Sequence, residues 1–517
     1  MPAAAEFTFE QYEVVIGSAE RQTVLTGFLL GGAIADLAVV NIDENGDRRL
    51  RIYAFGDSTW VPLLDATLRP EVLFVDVANI SGRDRLIAYE SGRLNWFDPE
   101  SATERALVAV TANFNPPRKG EIPHVDVARD VNGDERDDLV VPDVDGFWVL
   151  VQMSDGAFAD PVKIGPSTDM SRIYGADGYR YNPWSQSRVH EIDYNRDGRR
   201  DLVFWNADHF AVHYQDERGL FASVAETFTT DVAFDSDDLG SLATGDMTGR
   251  VLHSLSDLNG DGVADLVVFL LEGRSISSKR SAYEVHFGTP TPDGTAFAQG
   301  VDIAFRSDGS IQLGMDRRDF DRDGQVDLMF TTIEVEYLES SLWKRFKGFM
   351  GDDIWLNLEF YQMEGGLYLD KPNAIRRIAL DGVPSHREPG SVSLDIVLRG
   401  ATHERRKTQK SWPRAFNSTL LIGDVTGDGL SDLLIGQHPR HLDVFVGVPG
   451  PDLFSRRLQD VAIAVPNDEE YTWLVDLNKD GKQDVLMHHP FTLRDAHGAR
   501  KLPPGTEPHR VTVLIAR

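Results

Sequence analysis

Apolar and polar positions alternate with a period of two along much of the chain, and the alternating runs are separated by turns that contain Gly and Asp. The segments Phe147–Ile164 and Trp355–Ile378 show this pattern clearly. A period of two is typical of strands with one buried face, and Gly and Asp favour the tight turns between antiparallel strands. Leu338–Phe349 is the one segment whose pattern suggests a helix. The chain is therefore predicted to be all-β.

A nine-residue acidic pattern, Asp-x-Asn/Asp/Thr-x-Asp-Gly-x-x-Asp, recurs along the chain and is followed each time by an apolar strand. Its six copies are Asp130–Asp138, Asp193–Asp201, Asp257–Asp265, Asp319–Asp327, Asp424–Asp432 and Asp476–Asp484. Their first aspartates are 63, 64, 62, 105 and 52 residues apart. The long gap indicates one period plus an insertion, which we place in residues 337–415, within or after the sixth blade. Two degenerate copies lie upstream, at Gly27–Ala38 and Asp76–Asp84.

Eight units of about four short strands each predict a single β-propeller over residues 1–517, with eight blades or, alternatively, seven. The last unit, Thr472–Arg517, supplies only three strands, whereas Phe7–Ile16 alternates like a strand but precedes the first unit. An open ring would expose unpaired strand edges. We therefore expect Phe7–Ile16 to complete the last blade beside Arg510–Ala516.

The acidic pattern has the composition of a calcium loop. Side chains at positions 1, 3, 5 and 9 can converge on one point, Gly at position 6 permits the sharp turn, and the carbonyl at position 7 adds an oxygen. Oxygen ligands of this number and irregularity suit Ca²⁺ better than Mg²⁺. An EF-hand would need Glu at position 12, where each copy has an apolar residue. The first copy has Glu135 in place of the position-6 Gly.

We expect about six Ca²⁺ sites. The predicted ligands are Asp130, Asn132, Asp134 and Asp138; Asp193, Asn195, Asp197 and Asp201; Asp257, Asn259, Asp261 and Asp265; Asp319, Asp321, Asp323 and Asp327; Asp424, Thr426, Asp428 and Asp432; and Asp476, Asn478, Asp480 and Asp484. The alternative is that these stretches are solvated β-turns. The similar stretch Asp43–Asp47 is interpreted as a hairpin turn because it contains Asn45-Gly46.

The six loops and their flanking strands resemble the FG-GAP/VCBS repeats of integrin α-subunit propellers and their bacterial relatives. The resemblance extends over nearly the whole chain. It implies that the calcium loops join the first and second strands of a blade, that the metal is structural, and that ligands bind on the opposite face.

Aromatic, histidine and arginine side chains are expected on that opposite face, in segments that follow a second strand or precede a first strand. The candidates are Tyr181, Trp184, Trp205, His209, His438, Arg440, His488 and His489. Such residues suit a sugar or peptide ligand. The alternative is that they pack on neighbouring blades. The basic run His403–Arg414 is either a docking arm for an acidic partner or a solvated loop.

Composition narrows the function further. With 52 basic and 82 acidic residues the net charge is −30, which argues against nucleic acid or an anionic membrane as the main partner. There is no cysteine, so disulfides and thiol catalysis are excluded. No apolar run is long enough to span a membrane, and Met1–Glu6 lacks the features of a signal peptide.

These observations favour a non-catalytic, calcium-stabilised propeller that binds a protein or a glycan. Loops of this kind fill where calcium is plentiful, so we expect a secreted, periplasmic or surface protein whose signal peptide is missing from this chain. Two alternatives remain open. One is a polysaccharide lyase, since the resemblance extends to eight-bladed calcium propellers of that activity, and the other is a structural subunit of an envelope assembly.

Overall fold

The computed structural model describes residues 7–17, 22–114, 122–166, 180–181, 184, 189–237, 248–273, 278–292, 294–307, 309–334, 354–380, 419–438, 441–450, 452–466, 472–489 and 509–517. These residues form 38 β-strands, which confirms the all-β prediction. The predicted helix Leu338–Phe349 and the basic run His403–Arg414 lie outside the described residues. Within the described residues, no helix is long and apolar enough to cross a membrane.

The first strand along the chain, β1 (Phe9–Gly17), belongs to the last blade. Blade 1 consists of β2 (Gln22–Gly27), β3 (Asp36–Ile42), β4 (Arg48–Phe55) and β5 (Trp60–Leu68). Blade 2 consists of β6 (Phe74–Ile80), β7 (Arg83–Glu90), β8 (Gly92–Asp98) and β9 (Thr103–Val110), with the short β10 (His124–Val125) parallel to β6. Blade 3 consists of β11 (Ala128–Arg129), β12 (Asp138–Asp143), β13 (Gly146–Leu150) and β14 (Val162–Ile164). The short β15 (Arg180–Tyr181) is parallel to β10. Blade 4 consists of β16 (His190–Ile192), β17 (Asp201–Asn206), β18 (His209–His213) and β19 (Glu226–Phe228).

Blade 5 consists of β20 (Gly249–Ser256), β21 (Asp265–Glu272), β22 (Arg280–His286) and β25 (Ile303–Ser307), with the hairpin β23 (Gly288–Thr291) and β24 (Gly294–Phe297) between its last two strands. Blade 6 consists of β26 (Ser310–Arg318), β27 (Asp327–Glu334), β28 (Ile354–Tyr361) and β31 (Ala374–Leu380), with the hairpin β29 (Met363–Glu364) and β30 (Leu367–Tyr368). Blade 7 consists of β32 (Thr419–Gly423), β33 (Asp432–His438), β34 (His441–Phe445) and β35 (Gln459–Ala462). Blade 8 consists of β36 (Thr472–Val475), β37 (Asp484–His489), β38 (His509–Ala516) and β1.

The eight antiparallel sheets form an eight-bladed β-propeller, so the eight-blade prediction is confirmed over the seven-blade alternative. Of the predicted insertion range 337–415, the part that contains β28 and β31 forms the third and fourth strands of blade 6. The other residues of that range lie outside the described residues.

The ring closes as predicted. β1 pairs antiparallel with β38 from Phe9 opposite Ala516 to Val14 opposite Val511, and β38 also pairs with β37. The Arg517 amide donates to the Thr8 carbonyl at 2.9 Å beyond the end of the ladder. The C-terminal strand is therefore interior to its blade.

The core lies between neighbouring sheets. At the junction of blades 8 and 1, for example, apolar side chains of β1 and β38 pack with those of β3, and Ile16 and Val513 are fully buried. Each blade thus buries its two faces against its two neighbours, as a propeller requires.

Successive strands of a blade run in opposite directions, so the turns fall on two faces. The connections from first to second and from third to fourth strand lie on one face, which we call the loop face. The connections from second to third strand, and from one blade to the next, lie on the opposite face.

Candidate metal loops and the opposite face

All six acidic loops join the first and second strands of a blade, in blades 3 to 8, and therefore lie on the loop face. Each loop curls around the carboxylate at position 1. In blade 5 the Gly260 and Gly262 amides donate to the two oxygens of Asp257 at 2.8 and 2.9 Å. The Val263 amide donates to Asp261 at 2.8 Å, which continues the turn. The aspartates therefore shape the backbone of the loop that carries them.

Positions 4 and 6 have a left-handed backbone in all six loops. The φ angles are 82° and 64° at Gly133 and Glu135, 59° and 85° at Arg196 and Gly198, 73° and 79° at Gly260 and Gly262, 62° and 87° at Arg322 and Gly324, 77° and 85° at Gly427 and Gly429, and 57° and 85° at Lys479 and Gly481. Glycine adopts this conformation without steric cost, which explains the pattern's Gly at position 6. Glu135 adopts the same conformation without that advantage.

The carboxylate at position 9 is buried and clamps the loop to its blade. Asp265 accepts the Leu258 amide at 2.8 Å and the Gly288 amide at 3.0 Å, so it joins the start of the loop to the segment at the end of the third strand. The same two bonds recur in every acidic loop, on Asp138, Asp201, Asp265, Asp327, Asp432 and Asp484.

Burial raises the pKa of these position-9 carboxyls. The pKa is raised to about 7 for Asp138 and Asp327 and to about 6 for the other four, Asp201, Asp265, Asp432 and Asp484. Nearby loop carboxylates raise it further, as Asp261 does for Asp265. A bound divalent cation would relieve this repulsion, because it favours the charged form of every carboxylate around it.

The carboxylates converge most closely in blade 6, where the oxygens of Asp319, Asp321 and Asp327 lie within 4.8 Å of one another. Asp321 also accepts a bond from the Gln362 side chain at 2.7 Å, which fixes its orientation. Three carboxylate oxygens around one point form an all-oxygen donor set, which fits Ca²⁺. In the other loops with Asn at position 3, that side chain donates to the position-5 carboxylate, as Asn259 does to Asp261 at 3.1 Å.

The acidic loops also bond to the blades beside them. The Arg322 guanidinium donates to the Asp428 carbonyl at 2.9 Å, which joins the loops of blades 6 and 7. The Gln483 amide donates to the Asp424 carbonyl at 2.7 Å, which joins the loops of blades 7 and 8. Ordering these loops therefore also orders contacts between blades.

Blades 1 and 2 have no acidic loop. In blade 1, Asp36 is buried, its Oδ2 accepts the Leu30 amide at 2.7 Å, and burial raises its pKa. In blade 2 the first and second strands are joined by the tight turn at Ser81 and Gly82. Asp84 accepts the Phe28 amide of blade 1 at 2.9 Å.

Other acidic positions near these two blades also have structural partners. Asp76 accepts the Val127 and Ala128 amides and contacts the His124 ring at 2.8 Å. The stretch Asp43–Asp47 is a hairpin turn between β3 and β4, as predicted, and Asp43 accepts the amides of Asn45 and Asp47.

Of the predicted opposite-face residues whose side chains the structure describes, some are buried and others are exposed. Trp205 is half-buried and packs edge-on against Phe210 and Phe234, with centroids 4.9 and 4.6 Å away. His209 is partly exposed and bonds to Asp208 at 2.7 Å. Trp184 is buried, packs on Phe147 at 5.3 Å and bonds to Glu191. Trp184 therefore packs against neighbouring strands and does not form part of an exposed ligand surface.

The remaining candidates fall into two groups. His488 is buried inside blade 8, and burial, with His509 and His489 nearby, lowers its pKa to about 3. His489 bonds to the Thr512 hydroxyl at 3.0 Å, and burial lowers its pKa to about 4. His488 therefore also packs inside the protein and does not form part of an exposed ligand surface. The structure describes the backbone of Tyr181, in β15, and of His438, in β33, but not their side chains. Arg440 lies outside the described residues.

Several polar pairs on the opposite face were missed by sequence reasoning. His441 bonds to Asp460 at 2.9 Å across β34 and β35, and both are exposed. Lys163 contacts Asp143 at 3.1 Å and lies over the Trp148 ring at 5.2 Å. Asp143 ends the second strand of blade 3 and His441 begins the third strand of blade 7, whereas Lys163 and Asp460 lie in fourth strands. The available signal was the position of Asp143 and His441 beside second-to-third-strand turns.

No family model matches the chain, and no curated protein sequence matches it. Among solved structures, a lectin of Agrocybe aegerita, described for recognition of non-reducing terminal N-acetylglucosamine, is similar with a TM-score of 0.33 and 14% identity over 71% of this chain and 81% of that chain. The biofilm matrix protein Bap1 of V. cholerae has a TM-score of 0.37 and 11% identity over 99% of this chain and 91% of that one. A Photorhabdus luminescens Tc holotoxin has a TM-score of 0.29 and 12% identity over 96% of this chain and 19% of that chain. Similarity this low does not indicate a ligand.

Proposed function

We propose that the protein is a non-catalytic β-propeller of the FG-GAP/VCBS kind, stabilised by about six Ca²⁺ ions, that binds a protein or glycan ligand. The observation that carries the proposal is the shared geometry of the six acidic loops. Each has the same left-handed positions, the same carboxylate at its centre and the same buried clamp. Solvated turns would not need this agreement among six separate segments.

The ions would be held by the side chains at positions 1, 3, 5 and 9 of each loop, and their role would be structural. Binding to the native state alone stabilises a protein by about 2.7 kcal/mol per site at a hundred times Kd. Loops of this composition fill at the calcium concentrations found outside cells, which supports a secreted, periplasmic or surface location.

We place the ligand on the face opposite the loops, because the loop carboxylates would be occupied. Exposed polar groups at the second-to-third-strand turns, such as Asp208 and His209, and the pair His441 and Asp460 are the candidates for contact. Their hydrogen-bonding groups suit a polar ligand such as a sugar or a peptide.

The calcium part is tested by dialysing the protein against calcium and measuring bound metal. We expect about six ions per chain. Asp257→Asn should remove one of them, whereas Asp43→Asn, in the hairpin turn, should remove none. Retention of no calcium, or equal losses from both variants, would contradict the proposal.

The binding part is tested with a glycan array and a pull-down, comparing the calcium-loaded protein with the double variant His209→Ala/His441→Ala. Binding should weaken in the variant while the melting temperature stays the same. The matched control is Arg218→Gln, an exposed position on the loop face that pairs with Asp216. If Arg218→Gln weakened ligand binding and the double variant did not, the ligand would contact the loop face, which would contradict the proposal.

A further inference from the structure

A pocket opens on the loop face between blades 1 and 2, where the acidic loops are missing. It has a volume of about 140 Å³. Leu29 and Ile52 of blade 1 form one wall, and blade 2 supplies the rest. Its polar lining residues are Arg83, Asp84, Arg85, Trp96, Asp98, Glu100 and Arg105. Three arginines therefore gather on a face that elsewhere carries six acidic loops.

Two of the three arginines form no ion pair within the described part of the chain. Arg105 forms an ion pair with Asp98, whose carboxylate also accepts the Ser101 hydroxyl at 2.8 Å. Among the described residues, by contrast, neither Arg83 nor Arg85 forms an ion pair or a side-chain hydrogen bond, and the Nε of Arg85 is buried without a partner. Both guanidinium groups line the pocket and are therefore available to a ligand that accepts hydrogen bonds.

The Arg85 guanidinium is held in place by packing. It lies over the Trp96 ring, with its central carbon 3.8 Å from the ring centroid. Burial, with the charges of Arg83 and Arg105 nearby, lowers the pKa of Arg85. A guanidinium that is already oriented and repelled by its neighbours loses little side-chain freedom when it binds an anion, which favours affinity.

The chemistry of the pocket indicates which class of anion it binds. A guanidinium matches the two oxygens of a carboxylate in a bidentate pair. The chain's net charge of −30 disfavours a polyanion, because long-range repulsion grows with the charge of the ligand. A volume of about 140 Å³ is close to the ~150 Å³ of a cavity that holds benzene, so the site accommodates one ring-sized group.

The other polar groups that line the pocket favour a ligand that also carries hydroxyl groups. The carboxylates of Asp98 and Glu100 can accept hydrogen bonds from hydroxyl groups. We propose that this pocket binds the carboxylate of one acidic sugar residue, a hexuronate, through Arg83 and Arg85. The site is separate from the ligand proposed for the opposite face and does not depend on it.

The test is a calorimetric titration of the calcium-loaded protein with sodium glucuronate and sodium galacturonate, and with glucose, sodium acetate and sodium sulfate at equal ionic strength. At least one uronate should bind in the millimolar range, at least about tenfold more tightly than glucose, acetate or sulfate. Equal affinities for the uronate and for glucose would show that the protein does not recognise the carboxylate. Equal affinity for acetate or sulfate would show that the sugar is not read, and undetectable uronate binding would overturn the proposal entirely.

Two variants test the arginines. Arg83→Gln and Arg85→Gln should each weaken uronate binding by about tenfold. Arg218→Gln should leave it unchanged, because this exposed arginine lies in the third-to-fourth-strand turn of blade 4, on the same face but away from the pocket. Arg83 is exposed, so Arg83→Gln should melt at the parent temperature, and it decides the matter if Arg85→Gln does not fold. Equal weakening in Arg83→Gln and Arg218→Gln would reduce the effect to general surface charge and overturn the assignment.

Discussion

Blades 3 to 8 and blades 1 and 2 share a four-stranded architecture but differ in how their first two strands are joined. In the first group a nine-residue loop winds around an aspartate at position 1 and is clamped by one at position 9. In the second group, blade 1 keeps only the position-9 residue, Asp36, and blade 2 makes a tight turn. The blade therefore folds without the full set of oxygen-bearing side chains at positions 1, 3 and 5.

This difference separates two roles within the acidic pattern. Asp36 accepts a loop amide much as Asp265 does, so the position-9 carboxylate has an architectural role that does not require a metal. Oxygen-bearing side chains are present together at positions 1, 3 and 5 only where the long loop is present. Because the fold does not need them, their retention in six blades is explained by the calcium we propose.

The largest effect is expected at the junction of the two regions, where β1 of blade 8 packs against blade 1. Deleting residues 1–17 removes a strand that pairs with β38 along its whole length and exposes that edge. We expect the truncated protein to unfold or aggregate, as measured by size-exclusion chromatography and thermal melting. The matched control deletes residues 1–6 only, and a 1–17 truncation as soluble and stable as this control would contradict the role of β1.

The second effect separates the two regions directly. Chelating calcium should lower the melting temperature by many degrees, and Ca²⁺ should restore it better than Mg²⁺, because each occupied site stabilises the native state. Hydrogen exchange followed by mass spectrometry should show faster exchange in loops such as 257–265 and little change at the 81–82 turn of blade 2. Uniform acceleration in both regions, or an unchanged melting curve, would argue against metal in the loops.

The fold could be predicted from the sequence because its signals are local and repeated. The acidic pattern marks the first-to-second-strand junction, and the apolar run after it marks the second strand, as at Asp265–Glu272. Ring closure also followed, since a three-stranded last unit and a spare strand at Phe7–Ile16 left only one arrangement without open edges.

The candidate sites were less predictable, because they depend on which side chains meet in space. Trp184 and His488 stood out as residue types, but their burial is set by neighbouring strands that the sequence does not reveal. The pocket between blades 1 and 2 was missed for the same reason. Arg85 and Trp96 are eleven positions apart and meet only because β7 and β8 pair.

The third effect concerns acid stability inside blade 8. The folded-state pKa of His488 is lowered to about 3 by burial, whereas in the unfolded chain it is near 6.5. As the pH falls below 6.5, the His488 imidazole is therefore protonated in the unfolded state but stays neutral in the folded state. His488 should thus cost about 2 kcal/mol of stability between pH 6.5 and 5.

This effect is measured by denaturant unfolding of the parent and of His488→Gln at pH 7.5 and pH 5, in saturating calcium. The difference at pH 7.5 gives the packing cost of the substitution. The parent should lose more stability on acidification than the variant does, since the variant has no imidazole to protonate. Identical losses would mean that protonation of His488 does not account for the loss of stability in acid.

The smallest effect is expected in blade 3, whose loop is the least regular of the six. Glu135 has a φ of 64° where the other five loops have glycine, and its amide donates to Asp130 at 2.9 Å. The left-handed backbone at Glu135 costs about 1–2 kcal/mol relative to glycine. Replacing Glu135 by glycine removes this cost, but part of the gain is offset because glycine has greater conformational freedom in the unfolded chain. Glu135→Gly should therefore stabilise the protein by about 0.5–1 kcal/mol, measured by denaturant unfolding in saturating calcium. Glu135→Gln removes the charge but keeps the backbone cost, so an equal gain in that variant would assign the effect to charge repulsion among the loop carboxylates.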